Sequence, residues 1–150
     1  MSSGSDCEMP GTICWYEVPC TDPDRAFAFY KNVFGWDMAP NAEAMPGYME
    51  GVDSVHMFSK GNLYGAFIKM SSPDGVAAVA DKGHMAKTAS LASLRVQDID
   101  KTTADVEKNG GKVHIPKFAI AGGAFGHSAR YIDTEGNLVA VWQPPAKPPM

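Results

Sequence analysis

Glu17 and Arg95 are the charged residues whose placement most suggests joint chemistry, because they occupy corresponding positions in two similar stretches of the chain. Side by side, they would form either a structural ion pair fixing the register of two halves or a site carboxylate held ionised by a guanidinium. His56, His84, His114 and His127 are scattered, so their spacing supports no metal centre. His127 follows the glycine-rich run Ile120 to Gly126 and is placed to reach a cavity mouth as an acid or base; the alternative is four unrelated surface histidines. Tyr48, Tyr64 and Tyr131 are hydrogen-bond donors or packing residues. Cys7, Cys14 and Cys20 crowd one end in odd number, which argues against a disulfide framework and for a reducing compartment. No His–Asp partner accompanies them. Cys14 is expected against a helix, and Cys20, on a turn, is expected to be more exposed.

The elements that must hold these residues read clearly. Ile13, Trp15 and Glu17 alternate with Cys14, Tyr16 and Val18 as a strand, which Pro19 is expected to end. Asp22 and Pro23 open a helix as N-cap and first residue. Phe27, Tyr30 and Phe34, beside Ala26 and Val33, give it an apolar face, and Gly35 supplies a left-handed stop. Strands are expected over residues 52–59 and 63–70, turning at Lys60-Gly61-Asn62. Residues 36–51 read as a short strand and a variable loop, and residues 71–90 as a connection. A second cycle starts with a strand over residues 91–96. Asp98 or Asp100 then caps a helix carrying Ile99, Thr103 and Val106, which Gly110-Gly111 ends. Strands follow at residues 112–115, 129–132 and 138–143, with a turn at Asp133 to Asn137. The glycine-rich run lacks a lysine and does not lead from a strand into a helix, so it is a flexible loop near a cavity rather than a phosphate cradle. Residues 1–11 read as a loose arm, residues 12–143 as one domain of two repeats (about 12–70 and 90–143), and residues 144–150 as a proline-rich tail.

At 150 residues the chain is long enough for one domain with a substantial core. With 45% hydrophobic and 20% charged residues it is globular, and no apolar run spans a bilayer. A net charge of −4 without a basic cluster argues against nucleic acid as a partner. The N-terminus has no signal-peptide pattern, so the expected location is cytoplasmic.

The runs WYEVPCTDPDRAFAFYKNVFGW, SLRVQDIDKTTADVEKNGGKV and GHSARYIDTEGNLVAVWQ resemble the glyoxalase/bleomycin-resistance/extradiol-dioxygenase superfamily, the vicinal oxygen chelate proteins. The resemblance runs from about Gly11 to Gln143. It implies an α+β fold of two βαβββ modules forming a curved mixed sheet, a half-barrel around a cavity, often in a homodimer. Metal-dependent members place one ligand on each of four strands. Registered on the family's strand and turn motifs, those positions hold Ile13, Lys69, Leu91 and Ala140, of which three are aliphatic. No metal and no cofactor is therefore expected, which argues against the family's metal-dependent lyase and ring-cleaving reactions.

The same register puts Trp15, Glu17, Gly65, Phe67, Lys69, Ser93, Arg95, Leu138 and Trp142 on one inward wall. Trp15, Phe67 and Trp142 would stack on a planar molecule, or simply pack a core. Trp15, Phe67, Arg95, Trp142 and Tyr48 are the expected ligand-binding residues. Glu17, Lys69 and His127 are the expected catalytic ones, Lys69 as a cation for an anionic or enolic substrate. Methionines 38, 45, 49, 57 and 70 suit an adaptable pocket or a filled core. The leading reading is a small-molecule-binding protein that sequesters its ligand or performs metal-independent isomerase or lyase chemistry. The alternatives are a metal-dependent enzyme with displaced ligands and an interaction protein with a closed cavity.

Overall fold

The computed structural model describes residues 10, 13, 15–38, 45–47, 50–72 and 91–146. The chain forms two compact units, one on each side of residue 76.

In the first unit, β1 (Trp15–Cys20) leads into α1 (Pro23–Phe34), followed by the short β2 (Asp37–Met38) and β3 (Met45–Pro46), then β4 (Val52–Lys60) and β5 (Leu63–Met70). Pro19 does not end β1: it pairs with Ile68, tolerated because β1 lies at the edge of the β1-β5-β4 order. The strand instead starts later, at Trp15, leaving Ile13 outside it and 81% exposed. β1 runs parallel to β5 and β4 antiparallel to β5, while β2 and β3 both pair with β4.

The caps of α1 follow directly from its sequence. The Asp22 carboxylate accepts the Arg25 N–H at 3.1 Å, and Pro23 opens the first turn. Gly35 adopts φ 72°, and its N–H reaches the Lys31 carbonyl at 2.9 Å. The buried residues of α1 are Ala26, Phe29 and Tyr30, so Phe29 takes the place expected of Phe34. The helix lies on a stack of rings: Tyr30 on Trp36 and Trp36 on Phe58, each at 4.4 Å, with Phe67 against Phe58 at 4.9 Å. Gly65 makes room for this stack, since a Cβ there would overlap the Phe58 ring and the Tyr16 carbonyl. Cys20, expected at a more exposed turn, is fully buried, with its thiol 3.6 Å from the Ile68 carbonyl.

The second unit is β6 (Ser93–Arg95), α2 (Ile99–Lys108), β7 (Lys112–Ala119), β8 (His127–Ile132) and β9 (Leu138–Gln143), with sheet order β6-β9-β8-β7. β6 pairs parallel with β9, and the other pairs are antiparallel. Asp98, not Asp100, caps α2, accepting the N–H groups of Asp100 and Lys101. Ile99, Thr102 and Val106 bury its inner face. The helix is tied to the sheet by Thr103 and the Tyr131 hydroxyl, 2.8 Å apart. Burial raises the pKa of the Tyr131 phenol, the Thr103 hydrogen bond opposes this, and the Asp100 and Glu107 charges add to it. The turn after β8 is organised by buried Asp133, whose carboxylate accepts the backbone N–H groups of Glu135 and Asn137, each at 2.8 Å. Among the described residues no helix is long and apolar enough to cross a membrane.

Candidate ligand-binding site

The side of the second sheet away from α2 carries a cavity of about 510 Å³. Strand register explains its composition. One row of paired residues crosses all four strands as Arg95, Trp142, Ser128 and Phe118; the row beside it runs Ser93, Ala140, Arg130 and Ile115. Short side chains thus lie between long ones, and Ser93 and Ser128 line the cavity between the longer Arg95, Trp142, Phe118 and Arg130. Ile120, at the start of the glycine-rich loop, closes one side.

The loop is held rather than loose. Ala121–Gly123 makes one turn of 3₁₀ helix, and the Trp142 indole N–H donates to the Phe125 carbonyl at 2.8 Å. Gly126 has φ 82°, and a Cβ there would overlap the Gln143 carbonyl, so the loop returns to β8 in contact with the end of β9.

Each guanidinium in the cavity lies over an aromatic face: Arg95 over Trp142 and Arg130 over Phe118, both at 5.9 Å. The two arginines differ in exposure. Arg95 is exposed, whereas Arg130 is partly buried and its Nε is shut off from water without a hydrogen-bond partner. Burial alone lowers the Arg130 pKa from the usual guanidinium value. Among the described residues neither arginine is paired with a carboxylate. Ser128 is buried, with its hydroxyl donating to the Val141 carbonyl at 2.9 Å.

Phe118 faces this cavity because β7 is irregular. From Ile115 to Phe118 the strand advances three residues while its partner moves two, from Arg130 to Ser128. This bulge, spanning Pro116 and Lys117, turns Phe118 onto the Arg130 face. A second irregularity between Val113 and Ile115 contains His114, whose Nε2 is also buried without a partner.

Of the residues expected at a site, Arg95 and Trp142 come together here with Ser93. Trp15 and Glu17 share a face of the first sheet, with the indole N–H donating to the Glu17 carboxylate at 3.1 Å. Trp15 is 41% exposed, and its face continues through Tyr64 to Ala66, Ile68 and Val55, packed by Met57 and Met70. Three expectations require correction. Phe67 is fully buried in the ring stack under α1, because β5 pairs Glu17 with Ala66 and Val18 with Phe67. Lys69 shares that helix-facing side, opposite to Glu17. His127 alternates with Ser128 and so falls on the face of Ala129 and Tyr131, away from the cavity. Tyr48 lies outside the described residues. Arg130, Phe118 and Ile120 were not expected. Only Pro116, a proline within a strand pattern, signals the bulge that brings Phe118 in.

The four positions registered on the family's metal ligands do not fit a cation. Ile13 is exposed outside β1, Lys69 faces α1, Leu91 precedes β6, and Ala140 offers a buried methyl group. Among the described residues no three His, Cys, Asp or Glu side chains converge on a metal position.

Comparison with known proteins agrees with this architecture. Residues 12–141 match the model of the Glyoxalase/Bleomycin resistance protein/Dioxygenase superfamily. The chain belongs to that superfamily. A glyoxylase-like domain-containing protein of Didymella fabae is 30% identical over 147 residues, covering 91% of this chain and 97% of its own. TnmS3, an antibiotic binding protein from Streptomyces sp. CB03234, superposes with a TM-score of 0.60 at 20% identity, over 91% of this chain and 99% of its own. A mutant of the fosfomycin resistance protein FosX from Listeria monocytogenes, complexed with Mn(II) and 1S,2S-dihydroxypropylphosphonic acid, gives 0.62 at 14% identity, over 89% and 93%. The two structures share the α+β fold with this superfamily member.

Proposed function

We propose that this superfamily member binds a small planar organic molecule in the cavity of its second unit and acts by sequestering it, without a metal. The observation that carries this reading is the row Arg95, Trp142, Ser128 and Phe118, two aromatic faces with guanidinium groups over them flanking a small polar floor. Such a surface offers stacking area and a few fixed polar groups, which is what an organic ligand needs. The antibiotic-binding role of TnmS3, a protein of the same fold, supports a binding function.

Two placements favour binding over lyase or isomerase chemistry: Glu17 and Lys69 lie on opposite faces of the first unit's sheet, and His127 lies on the face of the second unit's sheet away from the cavity.

A panel of small aromatic compounds tested by thermal shift checks the reading. Compounds that stabilise the wild type are expected to lose roughly tenfold in affinity on Trp142→Ala, since a stacking ring of this kind contributes on the order of 1 kcal/mol or more. No stabilising compound, or stabilisation unchanged in Trp142→Ala, would overturn it.

A further inference from the structure

Resting on the planar-ligand reading, we infer that the ligand carries an oxyanion, a carboxylate or phosphonate on its planar body, and that Arg130 receives it. The cavity holds two guanidinium groups and, among the described residues, no carboxylate in its lining. Among the described acidic residues of this unit, Asp98 caps α2, Asp100 and Asp105 meet Lys117 and Lys101, Asp133 organises a turn and Glu135 accepts from the Thr134 hydroxyl. The charge of Arg130 is therefore left without a compensating partner among the described residues.

A partly buried cation carrying an unpaired N–H is costly, and the Phe118 face only partly offsets that cost. An oxyanion in the cavity compensates the charge. It neutralises the guanidinium in a site where water screens poorly, and the guanidinium edge that lines the cavity can meet it with two parallel hydrogen bonds. A neutral amide leaves the charge uncompensated. Arg95, exposed over Trp142, adds a second positive group at the other end of the row.

The test compares 2-naphthoate with 2-naphthamide by isothermal titration calorimetry. These probes match in shape and differ in charge. Wild-type protein is expected to bind the acid at least roughly tenfold more tightly than the amide. Arg130→Met is expected to remove most of that preference while still binding the amide, and Arg130→Lys to keep more of it. Circular dichroism confirms folding of each variant. Should Arg130→Met fail to fold, Arg95→Met, at an exposed position, is expected to reduce the preference several-fold. Equal binding of acid and amide by the wild type would overturn the oxyanion inference and leave the planar-ligand reading standing. A preference unchanged in the folded Arg130→Met protein, or unchanged in Arg95→Met where that variant replaces it, would also overturn the inference. Binding of neither probe at millimolar concentration would overturn the inference for planar aryl anions, and the compound panel decides the broader reading separately.

Discussion

His56 reports on the packing of the first unit through its protonation. It lies on the α1-facing side of β4, paired with Phe67, with Nε2 2.8 Å from the Ser54 hydroxyl. Burial lowers its pKa from the ordinary value of 6.5; the Asp24 carboxylate opposes this and the Lys69 ammonium adds to it. A histidine with a lowered folded pKa takes up its proton more readily in the unfolded chain. The stability it contributes is complete above pH 6.5 and is lost as pH falls below that value toward the folded pKa. The thermal midpoint is therefore expected to fall between about pH 7 and pH 5, and His56→Gln to flatten that dependence. Parallel pH profiles for the two proteins in scanning fluorimetry would contradict the assignment. The residue types of the candidate site were only partly legible in sequence. Arg95 and Trp142 stand out by alternation. Phe67 misleads because the choice of face depends on register, and a one-residue change in pairing moves every side chain across the sheet.

Elements were easier to read than faces. Both helices announce themselves through Asp22, Pro23 and Gly35, or through Asp98, because caps are local and owe little to tertiary packing. The turn around Asp133 is visible for the same reason. β7 extends to Ala119, beyond the expected end at Ile115, because its bulges interrupt the alternation by which a strand is recognised. The glycine-rich loop reads as flexible, yet hydrogen bonds and a close backbone approach fix it. Gly126 tests this point. With φ 82° and the Gln143 carbonyl where a Cβ would project, Gly126→Ala is strained on two counts. It is expected to lower stability by roughly 1–3 kcal/mol in urea unfolding and to weaken ligand binding, because the Phe125 carbonyl that holds the Trp142 indole lies next to it. Unchanged stability and affinity would show that the loop adapts freely.

At the scale of the molecule, the net charge of −4 conceals a cavity lined by two arginines. Global charge argues against nucleic acid but says nothing about a single pocket. The repeat of strand, helix and strands was legible because a strand followed by a capped helix recurs in both halves of the chain. What the fold does not fix is chemistry, since one architecture can host reactions and simple binding alike. The metal question shows this directly. A superfamily that includes metal-binding members is met here by Ile13, Lys69, Leu91 and Ala140 at the registered positions, one ammonium among three hydrocarbons. A divalent cation bound there would lack the oxygen, nitrogen or sulfur donors that repay its dehydration. Protein purified without chelator is therefore expected to contain far less than one equivalent of zinc, nickel, manganese or iron by elemental analysis. Exhaustive chelation should leave both its thermal midpoint and its affinity for 2-naphthoate unchanged, because bound metal would stabilise only the folded state and its removal would lower the midpoint. A stoichiometric metal whose removal weakens binding would reverse the sequestration reading and direct attention to donors outside the registered positions.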